Sequence, residues 1–225
     1  MKALIIDSSS PNLSFSIFSA GKIIADFNHC YNFGASKLIS FLDESFKRNH
    51  ITAEDFDILA IGYGPGSFTG LRISFSVVKA FSLALKKPVI TIESFYLMAY
   101  PFRKKYKKIA VISDAKMGLI YGCSFKVKDE NLVKEQKERL VNLEEFIKGK
   151  SDYFFITYDM DLYKKVSDSN PGINSYGKAV YPNAKNALSV IEIMYKKGKF
   201  VNMDKLEPLY LHPKTCQIRR SGKNN

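Results

Sequence analysis

The sequence has no tryptophan and, in 225 residues, only three cysteines and three histidines. The odd number and wide spacing of the cysteines argue against a disulfide framework or a CxxC metal site and indicate a reducing compartment, the cytoplasm. No histidine pair has HxxxH or HExxH spacing, which excludes metal ligation from one helix face. The sequence therefore predicts no metal site. These residues are Cys30, Cys123, Cys216, His29, His50 and His212.

Long apolar runs and hydrolase motifs are also missing. The first apolar run ends at Asp7, too early for a signal peptide. No stretch of about 18 apolar residues is evident, so no membrane span is expected. No serine lies in a Gly-x-Ser-x-Gly elbow, which argues against a hydrolase of that type.

Basic residues are abundant, and the formal net charge is +12. Basic clusters occur at 103–108, 196–197 and 219–220. They could attract a polyanion such as RNA, or they could be a solvated, lysine-rich surface. With 46% hydrophobic and 25% charged residues, the composition is typical of a globular protein with a buried core.

A glycine-rich loop follows a predicted strand at 58–61. It matches neither a Walker A motif nor a dinucleotide fingerprint, because Thr69 stands where each would need glycine. The spacing therefore indicates a tight turn that starts a helix, with Thr69 as N-cap and an end near Leu85. The residues assigned this structural role are Gly64, Pro65, Gly66, Ser67, Thr69 and Gly70.

The helix predicted over 70–86 is apolar around its whole circumference and carries an i, i+4 ridge of small residues. Such a helix is the central core helix, or one that a second helix can approach closely from another subunit, and both can hold at once. The helix predicted over 35–48 has an unusually wide apolar stripe. The predicted partner interface consists of Leu38, Ile39, Leu42, Phe46, Arg72, Ser76, Ala80 and Ala84.

Two segments about 107 residues apart share the plan of buried strand, aspartate, turn and strand. Asp7, followed by Ser8 and Ser9, and Asp114 occupy the positions where actin-like and sugar-kinase-like ATPases hold Mg²⁺ between phosphate-binding hairpins. The second hairpin lacks an early glycine. The alternative is that both acids stabilise turns through Asx-type hydrogen bonds.

Four stretches resemble the bacterial TsaB (YeaZ) family of tRNA threonylcarbamoyladenosine biosynthesis. They are 4–9, 62–73 with its GPGSFTG-x-R signature, 114–121 and 207–211. The resemblance implies an actin-like (ASKHA) α/β fold of two RNase H-like lobes, each a mixed sheet flanked by helices. The resemblance also implies that TsaD, the catalytic paralogue of TsaB, carries an HxxxH metal motif, which this chain lacks.

The resemblance further implies a non-catalytic scaffold subunit that binds a TsaD-like protein through the two interface helices, and a TsaE-like ATPase and tRNA through the complex. It implies a homodimer when the chain is alone and no membrane. No cofactor is expected on this chain, although ATP or ADP could bind in the complex. Gly34-Ala35-Ser36 stands where many members have His-Ser or His-Thr, so that histidine's role does not carry over.

The predicted lobes are residues 1–102, with the interface helices, and 103–225, with the helix and tail after about 182 packing back on the first lobe. The competing interpretation is an enzyme: an ATPase or kinase that uses Asp7 and Asp114, or a glycoprotease-like protein. The missing metal motif argues against the protease, and the glycine-poor second hairpin argues against the ATPase.

Overall fold

The computed structural model describes residues 1–30, 37–169, 172–202 and 206–211. Several predicted features lie outside these residues: Gly34-Ala35-Ser36, His212, Cys216 and the basic pair at 219–220. The described residues contain two five-stranded sheets.

The first sheet starts from an N-terminal antiparallel meander. Strands β1 (Lys2–Asp7), β2 (Asn12–Ser19) and β3 (Lys22–Cys30) pair in succession, as their apolar patterns predict. β1 also pairs in parallel with β4 (Ile58–Gly62), and β4 with β5 (Val89–Ile92). The strand order is β3-β2-β1-β4-β5.

The second sheet repeats this plan. Strands β6 (Lys108–Lys116), β7 (Leu119–Lys128) and β8 (Asn131–Val141) form the antiparallel part, and β9 (Phe154–Ile156) and β10 (Asn174–Ser175) continue it in parallel. The order β8-β7-β6-β9-β10 is the order of the first sheet. The predicted two-lobed actin-like fold is confirmed.

We call each sheet with the helices that cover it the first and the second lobe. The predicted boundary at 102/103 falls between the two sheets and stays a prediction. The helices are α1 (Leu38–Arg48), α2 (Phe68–Leu85), α3 (Ser94–Ala99), α4 (Leu143–Ile147), α5 (Met160–Ser169) and α6 (Leu188–Lys196).

The first sheet is covered on both faces. Leu4 and Ile6 of β1 pack in a cluster with residues of α1 and α2. Ala3 and Ile5 point to the opposite face, because side chains alternate along a strand, and they pack with Ile191 of α6. The chain from 184 to 196 therefore returns to the first sheet.

Helix α3 is buried between the lobes. Leu97 packs in a cluster of the first sheet, whereas Phe95 and Met98 pack with Ile109 and Cys123 of the second sheet. The six-residue helix thus contributes to both cores.

The N-cap of helix α2 lies two residues earlier than predicted. Ser67 is the N-cap, and its Oγ accepts a hydrogen bond of 3.3 Å from the Gly70 amide. Thr69, the predicted cap, lies in the first turn of the helix. The Gly70 carbonyl accepts a hydrogen bond from the Ser8 hydroxyl, which holds this turn of the helix in place. The predicted end at Leu85 is confirmed.

Helix α2 is also long and apolar enough to cross a membrane, judged by length and composition alone. The expectation that the chain has no membrane span stays a prediction. The core helix of a soluble protein meets the same test. The buried face of α2 packs in the core of the first lobe, and residues on it include Leu71, Phe75 and Val78.

Candidate functional site

We call Asp7, Ser8 and Ser9, at the end of β1, the Asp7 turn, and this turn contains a buried carboxylate. Asp7 is 0% exposed. Its Oδ1 accepts hydrogen bonds from the Ser9 amide at 2.9 Å and the Ser9 hydroxyl at 2.7 Å, and its Oδ2 accepts one from the Ser94 hydroxyl at 2.6 Å. Burial raises the pKa of Asp7, and the bonds from Ser94 and Ser9 oppose that rise. Asp7 therefore makes the Asx-type bonds of a structural turn.

The glycine-rich loop lies directly on this turn. The Ser67 amide donates to the Ser9 carbonyl at 2.6 Å, and the Ser8 hydroxyl donates to the Gly70 carbonyl at 2.7 Å. A Cβ at Gly66 would lie 2.0 Å from the Ser9 oxygen, and one at Gly70 would lie 2.0 Å from the Ser8 oxygen. The loop is thus packed directly on Ser8 and Ser9.

Ser94 is the residue that sequence reasoning missed at this point. Ser94 is the first residue of α3. The Ser94 hydroxyl bonds to Asp7 and accepts from the Gly64 amide at 3.1 Å, and the Ser94 amide donates to the Gly64 carbonyl at 3.0 Å. Ser94 therefore joins the loop, the turn and α3.

The equivalent acid of the second lobe has a different environment. Asp114 is partly exposed, and its carboxylate accepts from the Lys116 amide at 2.9 Å and from the Lys116 Nζ at 2.6 Å. Burial alone would raise the pKa of Asp114, but these bonds bring it below its usual value. The two acids are thus both held by neighbouring protein groups.

The face of α2 opposite its core face is exposed. The predicted interface residues Arg72, Ser76, Ala80 and Ala84 all lie on the surface. Leu83, which was not predicted, is 58% exposed beside them. We call this surface the α2 face. Its signal in the sequence was an apolar pattern too wide for one buried side.

The prediction for α1 was wrong for two of its four residues. Leu38 and Leu42 are buried against the first sheet at 0% and 1% exposure, so they cannot contact a partner. Phe46 is half-buried and packs on Phe56, with ring centroids 5.5 Å apart. Ile39 is 53% exposed. The wide stripe combined a core-facing row with one exposed residue.

The segment 206–211 packs on the first turn of α2. The Leu209 amide donates to the Tyr63 carbonyl at 2.9 Å, and the Tyr210 ring lies 5.0 Å from the Phe68 ring. The Arg72 guanidinium lies 3.7 Å from the Phe68 ring centroid. Beside this contact is an open groove of about 310 Å³ lined by Arg72, Phe75, Ser76, Lys79, Leu206 and Pro208.

Three of the four motif stretches therefore meet at one place. Residues 4–9 end in the Asp7 turn, 62–73 cover that turn and start α2, and 207–211 pack against both the loop and the helix. Each stretch supports the start of α2. The arrangement orients a protein surface and closes the polar turn beneath it.

A separate polar cluster lies between the lobes. Possible ligand atoms of Glu93, Cys123 and Glu138 lie within 4.8 Å of one another. The Lys134 ammonium already bonds to both carboxylates. A lysine there supplies the positive charge that a metal ion would bring, so we assign no metal to these residues.

The described basic cluster is partly paired. Lys104 lies 3.7 Å from Glu130, Lys108 bonds to Asp152, and the Arg103 guanidinium lies over the Tyr100 ring. The first two pairs lie on the surface, where such pairs contribute little to stability. Contact of these cations with RNA stays a prediction.

Comparisons with known proteins agree with the motifs. A family model described as TsaD, tRNA N6-adenosine threonylcarbamoyltransferase, matches residues 35–169, more than half of the chain. The tRNA threonylcarbamoyladenosine biosynthesis protein TsaB of Escherichia coli is 23% identical over 231 residues, covering 99% of this chain and 100% of the relative. TsaB of Bacillus subtilis is 25% identical over 222 residues, covering 94% of each.

Among solved structures, YeaZ from Pseudomonas aeruginosa superposes with a TM-score of 0.80 at 20% identity. The match covers 93% of this chain and 100% of that one. At this identity the likeness concerns the fold, and it extends over both lobes.

Proposed function

Because the chain belongs to the TsaB (YeaZ) family, we propose that it is a non-catalytic subunit in tRNA threonylcarbamoyladenosine biosynthesis that binds a TsaD-like protein through the α2 face. Its relatives are named for this biosynthesis, and the matching family model is named for the transferase. The α2 face takes part in binding, and catalysis belongs to the partner.

The observation that carries the proposal is the exposed side of α2. The first lobe buries one side of this helix and leaves Ser76, Ala80 and Ala84 on the other with Leu83 beside them. Small side chains let another helix approach closely. Covering an exposed leucine with a partner is favourable because it removes apolar surface from water. The only charged residues within α2 are Arg72 and Lys79.

The closed turn supports a non-catalytic role. A nucleotide bound as in an ATPase would need the Asp7 carboxylate and the Ser8 and Ser9 groups, which the glycine loop and Ser94 already engage. Asp114 is paired with Lys116. We therefore propose that this chain binds no cofactor by itself, and that any ATP or ADP lies with its partners.

The other partners follow from the same proposal. A TsaE-like ATPase and tRNA join through the complex, and the free chain forms a homodimer that hides the α2 face. The charge of +12 supports contact with tRNA. These reactions take place in the cytoplasm.

Co-elution with a TsaD-like protein from the same organism tests the proposal. At tens of micromolar, size-exclusion chromatography with light scattering should show one heterodimer peak that replaces both free species. Separate elution of the two proteins would contradict the proposal. A homodimer that dissociates as the heterodimer forms would support the use of one surface for both.

An ATPase assay tests the competing enzymatic interpretation. The purified chain, native or carrying Asp7→Ala or Asp114→Asn, should release phosphate from ATP at the same background rate. Asp114→Asn is the informative second variant, since Asp7→Ala removes buried hydrogen bonds and lowers stability. Phosphate release that is lost in Asp114→Asn would overturn the non-catalytic proposal.

A further inference from the structure

The polar cluster between the lobes joins groups from four elements. Glu93 precedes α3 in the first lobe, and Tyr63 follows β4. Lys134 and Glu138 come from β8 of the second lobe, and Cys123 comes from the neighbouring β7. No group of the Asp7 turn belongs to this cluster. The cluster is therefore a separate polar contact between the two lobes.

Lys134 is at the centre of the cluster. Its ammonium donates to Glu93 Oε1, to Glu138 Oε1 at 2.8 Å and to Glu138 Oε2 at 3.1 Å. The Tyr63 hydroxyl also donates to Glu93 Oε1, at 3.1 Å. The Cys123 thiol donates to the Gln136 carbonyl at 3.2 Å. One cation therefore faces two carboxyl groups and two neutral groups.

The cluster is largely removed from water. The exposed fractions of the side chains are 6% for Glu138, 18% for Glu93 and 26% for Lys134. If both acids were ionised, the cluster would carry a net charge of −1. Burying an uncompensated charge is costly, whereas one proton on the carboxyl pair makes the cluster neutral.

The hydrogen-bonding pattern also calls for that proton. Glu93 Oε2 is buried and receives no hydrogen bond from the described donors. A carboxyl oxygen of Glu93 and one of Glu138 lie within 4.8 Å of each other. Two ionised carboxylates cannot hydrogen-bond to each other, because both only accept, whereas a protonated carboxyl group can donate to a carboxylate.

The environment assigns the proton to Glu93. Burial, followed by the contact with Glu138, raises the pKa of Glu93 from 4.5 to about 7, although Lys134 opposes the rise. Burial also acts on Glu138, but its bonds with Glu93 and Lys134 hold its pKa below the usual value. Glu138 is therefore the charged partner of Lys134.

We propose that Glu93 and Glu138 share one proton near neutral pH and that this proton, together with Lys134, latches the two lobes to each other. Loss of the proton leaves two carboxylates against one ammonium between the lobes, and their repulsion loosens the contact. The inference does not depend on the proposed function.

The latch predicts the sign of the pH dependence. An acid whose pKa is higher in the folded than in the unfolded protein contributes stability that is present below the unfolded value and is lost as pH rises through the folded value. For Glu93 that window runs from 4.5 to about 7. The contact between the lobes should therefore weaken between mildly acidic and neutral-to-basic pH.

Carbon-13 NMR of the native chain labelled at glutamate side-chain carboxyls tests the proton directly. One resonance should titrate with a midpoint near pH 7, and Glu93→Gln should remove it. If every glutamate resonance has a midpoint below pH 5.5, the latch is wrong. No partner protein is needed, so this result is separable from the proposed function.

Thermal unfolding tests the consequence. Glu93→Gln keeps a neutral hydrogen-bonding group beside Glu138, so its Tm should match the native Tm at pH 5 and exceed it by several degrees at pH 8. Glu144→Gln, an exposed change on α4, should follow the native curve at both pH values. A Tm difference that stays constant from pH 5 to pH 8 would contradict the latch.

A second variant covers the case in which Glu93→Gln does not fold. Glu138→Gln also removes one negative charge from the cluster, and it should likewise reduce the loss of Tm between pH 5 and pH 8. Hydrogen exchange of the native chain shows where the structure loosens. After correction for intrinsic rates, amides of β8 and of 62–64 should exchange faster at pH 8 than at pH 5. Unchanged protection there would overturn the coupling between the lobes.

Discussion

Positions 66 and 70 require glycine because backbone oxygens of the Asp7 turn occupy the space that a Cβ atom would need. In each case a Cβ would lie 2.0 Å from a carbonyl oxygen, of Ser9 and of Ser8 respectively. Backbone atoms cannot yield as the end of a flexible side chain can. The same glycines that suggest a phosphate loop therefore let the chain itself pack on the Asp7 turn.

Gly70→Ala should destabilise the first lobe by about 1–3 kcal/mol, because the added methyl must push the loop off the turn. The free energy of unfolding from urea denaturation measures this. Gly172→Ala is the matched control, since no atom lies within 4 Å of its added Cβ. Equal stability of the two variants would show that the loop is not packed as described.

Asp7 shows how one sequence pattern supports two interpretations. An acid at the end of the first strand is compatible with Mg²⁺ binding, and it is equally compatible with an Asx-type turn. The structure shows the hydrogen bonds of such a turn, because Ser9 and Ser94 supply three donors to the buried carboxylate. Ser94 lies 87 residues away, so no local pattern could have identified it.

At the scale of elements, α2 has one buried and one exposed face. Leu71, Phe75 and Val78 belong to the core of the first lobe, and the ridge from Ser76 to Ala84 faces outward. The sequence indicated both faces because the helix is apolar around its circumference. For α1 the same reasoning failed, since Leu38 and Leu42 face the sheet.

Ala80→Arg should abolish binding of the TsaD-like protein and leave the chain folded. The long charged side chain keeps a facing helix at a distance, and we expect affinity to fall by more than about tenfold, a loss of about 1.4 kcal/mol or more. Isothermal titration calorimetry measures the affinity, and circular dichroism verifies the fold.

The control for this experiment is Ser151→Arg, which adds the same side chain to an exposed turn of the second lobe. It should bind the partner as the native chain does. Native affinity in Ala80→Arg would place the interface elsewhere on the molecule.

At the scale of the whole molecule, two lobes of equal topology carry different local chemistry. Both sheets have the same order, and both central strands carry an acid near their ends. In the first lobe a glycine loop buries that acid. In the second lobe the acid remains partly exposed and pairs with a lysine next to it in the turn. The buried turn of the first lobe therefore supports the start of α2.

Salt dependence tests the proposed contact with tRNA. If the lysines and arginines reach phosphates, log K for tRNA binding by the complex should fall linearly with log salt, by about 0.7–0.9 per phosphate contacted. Replacing Lys105 and Lys107 with glutamine should reduce that slope. An unchanged slope would leave these cations as ordinary solvated surface.

The sequence by itself determined the two-lobed fold, the family and the loop-to-helix transition at 64–70. These features depend on local signals: apolar strands, an acid after each first strand, and glycine spacing. Apolar periodicity and turn residues act over a few positions, so they are visible without a structure.

The tertiary structure alone decided which groups meet. It placed Ser94 on Asp7, buried half of the predicted α1 contacts, set Tyr210 against Phe68 and brought Glu93 to Lys134. The three named residue pairs are 41 to 142 positions apart in the chain. Which residues come into contact depends on how the sheets and helices pack. A local sequence pattern does not indicate that packing.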